Sequence, residues 1–343
     1  MSLAYEKVGP AGVLTLNKPT TLNSFDSLII KAFHAYIDQA TADTEITHLI
    51  LKSDVPSVFS AGGDLKDIYQ HYQRSNQSEI ASFFKNSYDL NLRVNQMEKP
   101  FISLVDGICM GGAMGLALNG SHTVIFENTQ MAMPEIYIGF FPDVGARYFL
   151  KECLGHIGQF LALTGYRMTP EDVVYSGLSA NYVRYEQKEM LFDALTSVDV
   201  SQNPKEGINA LLKLFISVPK KESALRQYRT QIDDIFSLSD IEGILPAIKM
   251  SKIGWMRQQG QHMMKASPLS LKLTDWIFRN NQSVSLEKAL KLDLGLALKF
   301  LSIPETIEGI RARIIDKDGA PKWSHKNIYD VPNEEIEKLI ELG

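Results

Sequence analysis

The 343-residue chain contains only two cysteines, Cys109 and Cys153. They cannot build a disulfide framework, and their spacing fits no metal-ligand pattern, so they point to a reducing compartment and to ordinary apolar packing. The sequence has no basic block and no Lys/Arg stripe. With a formal charge of −5, nucleic acid is excluded as a main partner. GxGxxG and GxxxxGK[ST] are both absent, which leaves dinucleotide and P-loop chemistry without support. His, Asp and Glu do not cluster with metal-ligand spacing, and none of the seven histidines is assigned to catalysis or metal. The first residues lack a basic region followed by an apolar run, the basis for expecting a cytoplasmic protein. No repeat, low-complexity tract or Gly/Ser linker marks off a separate domain.

What is present is a large apolar fraction, 45% of residues, enough for one large domain or one domain with a substantial extension. The most membrane-like stretch, 101–118, is broken by Asp106-Gly107, so a buried strand, a glycine turn and a buried helix explain it better than a membrane span. Strand patterns over 13–16, 48–52, 101–105 and 123–126 alternate with helical patterns over 25–40, 65–72, 79–97 and 111–119. That alternation predicts parallel βαβ units. After Asp143 the pattern becomes mostly helical. The expected organisation is α/β over 1–200, with a helical region over 201–343 docked on it.

The chemistry is concentrated in Met131-Ala132-Met133-Pro134-Glu135-Ile136-Tyr137-Ile138-Gly139-Phe140-Phe141-Pro142-Asp143-Val144-Gly145. Glu135 and Asp143 are its only charged residues. Apolar surroundings resist ionisation, so two carboxylates in slightly different settings can divide into acid and base. Upstream lie two glycine motifs, Ala61-Gly62-Gly63-Asp64 and Met110-Gly111-Gly112-Ala113-Met114-Gly115. Each sits between a strand and a helix, where the first N–H groups lack intrahelical partners and the helix dipole is positive. N–H groups from Gly63 and Gly112 would suit a carbonyl oxygen gaining negative charge. Singly, each motif is weak, because Gly-Gly turns are common.

The order of these parts carries a resemblance. Leu16-Asn17-Lys18-Pro19, Phe59 to Leu65, Gly107 to Gly115 and Met133-Pro134-Glu135 together resemble the crotonase (enoyl-CoA hydratase/isomerase) superfamily. The resemblance implies a ββα spiral core that binds acyl-CoA, with Gly63 and Gly112 as the oxyanion-hole donors. It also implies that backbone atoms from Ala61 through Asp64 to Leu65 line the adenine pocket. Lys18 could meet a CoA phosphate; the alternative is a solvated loop lysine. Asp64 could instead cap the helix that starts at Leu65. No cofactor is expected, since coenzyme A belongs to the substrate.

Within the superfamily the likeness is greatest to the hydrolases of the 3-hydroxyisobutyryl-CoA type. Hydratases usually carry a glutamate three residues after the oxyanion-hole glycine, where this chain has Gly115. They typically have glycine at the position of Asp143, and Phe141-Pro142-Asp143-Val144-Gly145 resembles the hydrolase signature. Segments 267–272 and 308–323 resemble the hydrolase C-terminal extension. The implied reaction is thioester hydrolysis, in a pathway of valine breakdown, with Glu135 as nucleophile or general base and Asp143 as its partner. Arg147, four residues on, could pair with Asp143. Ser87 departs from the pattern, because such hydrolases often carry a glutamate there to bind the hydroxyl end of the acyl group. The alternatives are an enoyl-CoA hydratase or isomerase and a non-catalytic acyl-CoA binding protein. Relatives of this kind often assemble through C-terminal helices, so a homo-oligomer is compatible with the sequence; no membrane partner is expected.

Overall fold

The computed structural model describes residues 2–280 and 284–341. Among the described residues nine strands fall into two sheets. β1 (Leu3–Val8), β2 (Ala11–Leu16), β3 (His48–Ser53), β5 (Phe101–Val105), β7 (His122–Ile125) and β9 (Asn181–Tyr182) form a six-stranded sheet in the order β1-β2-β3-β5-β7-β9. Only the β1–β2 hairpin is antiparallel; the other described pairings are parallel. β4 (Val58–Ser60), β6 (Ile108–Met110) and β8 (Gln130–Ala132) form a second sheet in the order β4-β6-β8.

Read along the chain, a long strand and a short strand repeat three times, each pair followed by a helical element. β3 and β4 lead to α2 (Leu65–Gln73), β5 and β6 to α4 (Gly112–Asn119), and β7 and β8 to a 3-10 turn, Glu135–Ile138. This is the expected ββα spiral. The expected helices at 25–40 and 79–97 are α1 (Ser27–Ala42) and α3 (Gln77–Gln96). The membrane-like stretch is strand β5, a glycine turn and helix α4, as expected, with the short strand β6 between turn and helix. Among the described residues no helix is long and apolar enough to cross a membrane. The three short strands escaped the sequence reading because three residues show no measurable period.

The chain divides into two compact units. The first contains residues 1–64, 86–131 and 168–224; the second contains 65–85, 132–167 and 225–343. The units thus interleave along the chain, whereas the sequence suggested one boundary near residue 200. In the first unit the large sheet buries Val13, Ile50, Ile102, Leu104 and Val124 against Leu191, Leu195, Ile208 and Leu212. Parallel strands covered in this way read as continuous apolar runs, which is why β3 and β5 were plain in the sequence. The second unit is mostly helical and aromatic. Phe160 meets Phe236 edge-on at 5.4 Å and stacks on Trp255 at 5.5 Å. Phe140 stacks on Phe141 at 4.5 Å, and both contact Phe300 edge-on.

Candidate active site

The first unit brings the two glycine loops together. Gly62 has φ +89°, and a Cβ there would lie 2.5 Å from the Met110 carbonyl oxygen and 3.1 Å from the Gly112 nitrogen. Only glycine tolerates that approach in that conformation. A Cβ on Gly112 would sit 3.6 Å from the Gly63 nitrogen, so the two backbone N–H groups are neighbours. Gly112 opens α4 and so has no intrahelical acceptor. Both glycines are half-buried, and neither N–H donates a hydrogen bond among the described residues. The loop ahead of Gly63 is pinned: Phe25 N–H donates to the Gly62 carbonyl at 2.7 Å, and Asp64 N–H donates to the Phe25 carbonyl at 2.9 Å.

Lys18 and Asp64 meet in the same unit. The Lys18 ammonium donates to Asp26 at 2.8 Å and to Asp64 at 3.0 Å, and the Ser24 hydroxyl donates to Asp64 at 2.9 Å. Asp26 also accepts from the Ile29 N–H at the start of α1. Burial works against the Lys18 charge, but its two carboxylate partners outweigh it and hold the ammonium above the usual lysine range. Lys18 therefore ties the α1 cap to the first glycine loop, and a phosphate would have to compete with two carboxylates for it. Ala61 is exposed, Leu65 is half-buried at the start of α2, and Ser87 is half-buried on α3. The Ser87 carbonyl accepts from the Asn91 side chain at 2.9 Å.

The second unit brings the two carboxylates together. Glu135 and Asp143 are each only 7% exposed. Burial is the main cause that pushes Glu135 well above the ordinary glutamate range; repulsion from the Asp143 charge adds to it, and a backbone hydrogen bond opposes it. Glu135 Oε2 is buried and has no hydrogen-bond partner among the described residues. A buried, unpartnered carboxylate oxygen is costly, and such groups concentrate at functional sites. Among the described residues no group of three His, Cys, Asp or Glu side chains could hold a metal ion.

Both carboxylates stand on turns that distant residues clamp. Gly139 closes the Glu135 turn in the left-handed region, φ +67°, and a Cβ there would lie 2.5 Å from the Glu305 carbonyl oxygen. The Thr306 hydroxyl donates to the Gly139 carbonyl at 2.7 Å, and Ser267 N–H donates to the Ile136 carbonyl at 3.1 Å. After Asp143 the chain passes through Val144 at φ +51° and Gly145 at φ +79°. A β-branched residue at positive φ is strained and must be held from outside. Asp293 does so: it accepts the Gly145 N–H at 2.9 Å and lies 3.4 Å from the Arg147 guanidinium. Asp293 is fully buried, and that burial pushes it up to about 6 despite Arg147 and the Gly145 N–H. Sequence reading missed Asp293, Thr306 and Ser267 as supports. Pro134 and Pro142 mark both turns, but nothing local names a partner more than a hundred residues away.

The profile of the enoyl-CoA hydratase/isomerase family matches residues 11–340. A zebrafish (Danio rerio) protein named 3-hydroxyisobutyryl-CoA hydrolase, mitochondrial, is 34% identical over 98% of this chain and 88% of its own length. The human protein of the same name is 32% identical over 96% of this chain and 86% of its own. A solved structure titled as an enoyl-CoA hydratase from Rhodobacter sphaeroides superposes with a TM-score of 0.90 at 28% identity, covering 99% of this chain and 97% of that one. The cytoplasmic expectation is corrected by these relatives, whose names are mitochondrial. That expectation rested on the lack of an address in the first residues, and such a lack does not identify a compartment.

Proposed function

This chain belongs to the enoyl-CoA hydratase/isomerase family, and on that premise we propose that it hydrolyses a short branched β-hydroxyacyl-CoA thioester of the 3-hydroxyisobutyryl-CoA type, as part of valine breakdown. The reading gives the thioester oxygen to the N–H groups of Gly63 and Gly112. Each such donor is worth about 3 kcal/mol when the oxygen becomes an oxyanion. It gives proton transfer to Glu135 and Asp143. One oxygen attacks the carbonyl carbon, either from water directly or from the Glu135 carboxylate; in the second case the mixed anhydride left after thiolate departure is cleaved by a water, which releases the acid and restores Glu135. The C–S bond then breaks, and the departing thiolate takes a proton. The products are the free acid and coenzyme A.

The observation that carries the reading is the Glu135–Asp143 pair. A glutamate held above its ordinary range is a strong base once ionised, and a carboxylate beside it lets the two share one proton. Adding water across an enoyl double bond needs a second acid elsewhere, and the usual position for it is Gly115, which is buried on α4 and has no functional group. The names of the zebrafish and human relatives support hydrolysis. The Ser87 departure bears on which acyl group is preferred, and a small branched β-hydroxyacyl group remains the first choice.

The test uses 3-hydroxyisobutyryl-CoA and crotonyl-CoA in parallel, following free thiol and enoyl absorbance. Thiol release that vanishes in Glu135→Ala and Asp143→Asn is the expected result. Enoyl loss without thiol would assign a hydratase, and binding of CoA with neither signal would assign a non-catalytic protein. Single turnover in oxygen-18 water tests the covalent route: label in the Glu135 carboxylate supports it, and no label counts against it.

A further inference from the structure

The second unit contains a cavity of about 480 Å³ on the flank of the Glu135 turn. Pro134 and Tyr137, which bracket Glu135 in sequence, form part of its wall. Its volume lies within the range of small-molecule sites. Among the described residues three cationic side chains line it, the exposed Arg167 and Lys265 and the half-buried Arg313, and no aspartate or glutamate does.

Among the described residues, none of these three cations has a carboxylate within ion-pair distance. The contrast within one helical turn is informative. Arg311 is held by Glu308, Asp316 and Asp318, at 2.8, 2.6 and 2.7 Å. Arg313, two residues on, has no acid. Its Nε is buried without a hydrogen-bond partner, and its guanidinium rests 5.8 Å from the centre of the Tyr137 ring. The Tyr137 hydroxyl is already used, donating to the Thr164 carbonyl at 2.7 Å. A buried guanidinium nitrogen without an acceptor costs free energy until an acceptor arrives. Cations of one sign lining a concave cleft concentrate anions there.

We propose that this cavity is an anion-binding site, taking a compact multivalent anion whose oxygens pair with Arg313, Lys265 and Arg167. Phosphate and carboxylate groups share that chemistry. Occupancy of the site touches the turn that carries Glu135, which makes it a place where a small anion can act on the reaction without being its substrate.

The experiment measures binding directly, so it does not depend on thioester hydrolysis. Inorganic pyrophosphate and citrate are titrated into the full chain by isothermal titration calorimetry, with sodium chloride holding ionic strength constant. Saturable binding of one anion per chain, with a dissociation constant of about 1 mM or tighter, is expected for at least one of them. Which of the two binds tells phosphate from carboxylate. Arg313→Gln and Lys265→Gln should each weaken that binding about tenfold while leaving the melting temperature in place. No saturable binding, or binding unchanged in both variants, overturns the proposal. Competition of free coenzyme A with the bound anion also overturns it, because the cavity would then belong to the substrate.

Discussion

The two halves of the proposed chemistry are built in opposite ways. In the first unit Gly63 and Gly112 act through backbone, and neighbours in the loop and the short strands place them. In the second unit Glu135 and Asp143 act through side chains on turns that Asp293, Ser267 and Thr306 hold from far along the chain. A backbone donor needs only the correct path of the chain. A buried carboxylate pair needs that path and outside support, because two like charges in an apolar setting resist their own placement. Variants in the second unit should therefore disturb both reaction and fold, and variants in the first can disturb the reaction alone.

The largest expected effect is on Glu135. Glu135→Ala should lower thioester hydrolysis by about 10³-fold or more, and Asp143→Asn by a similar factor. Steady-state thiol release measures both. If either variant keeps its rate, the carboxylate pair is not the chemical centre and the comparison fails at its root. The next effect belongs to the first unit. A Cβ on Gly112 meets only the Gly63 nitrogen, at 3.6 Å, an ordinary contact distance. Gly112→Ala is therefore accommodated by the fold, but its methyl group covers the neighbouring N–H. We expect a loss of about 10²-fold in kcat, with the melting temperature unchanged or slightly raised because alanine favours helix over glycine. A large loss of stability would show that the two units are not built differently after all.

The sequence made the first half legible and the second only in part. Two Gly-Gly motifs, each after a strand, are local signals, and their neighbouring N–H groups follow from loop and helix geometry. Glu135 and Asp143 were visible because a low-charge segment isolates them. Their supports were not. Asp293 lies in an ordinary amphipathic helix, Leu286–Phe300, and nothing within that helix marks it as the acceptor for Gly145. Lys18 shows the same limit from the other side. Its spacing to Asp26 is local, but its pairing with Asp64 joins two loops forty-six residues apart. The parallel core was legible because strands covered on both faces are continuously apolar. The interleaving of the two units was not, because it depends on which helices pack together.

A smaller effect on rate tests the support directly. Asp293→Ala removes the acceptor for Gly145 N–H and the partner of Arg147. Breaking a buried pair on one side costs about 3–5 kcal/mol, and the Asp143 turn should loosen with it. We expect kcat to fall about tenfold with KM little changed, and Asp293→Asn to recover part of the rate because an amide oxygen can still accept from Gly145. Equal loss in both variants would mean that the charge, rather than the hydrogen bond, sets the turn. Unaltered rates in both would remove Asp293 from the site's support.

The smallest effect is one of stability, and it separates the two units by pH. Glu135 in the folded chain keeps its proton above the pH at which an unfolded glutamate releases it. Between the ordinary glutamate value of about 4.5 and the raised folded value, unfolding releases a proton, so stability falls as pH rises through that window. Above the window the ionised side chain stays buried at a fixed cost. Glu135→Gln carries no titratable proton and lacks this slope. Thermal melts should show the glutamine variant more stable than the parent at pH 8 by a few degrees, with the gap closing as pH falls toward about 4.5. Gly112→Ala should show no such trend, since a backbone N–H does not titrate in this range. If the Glu135→Gln gap stays constant with pH, the folded glutamate titrates as an ordinary one, and the second unit carries no more electrostatic cost than the first.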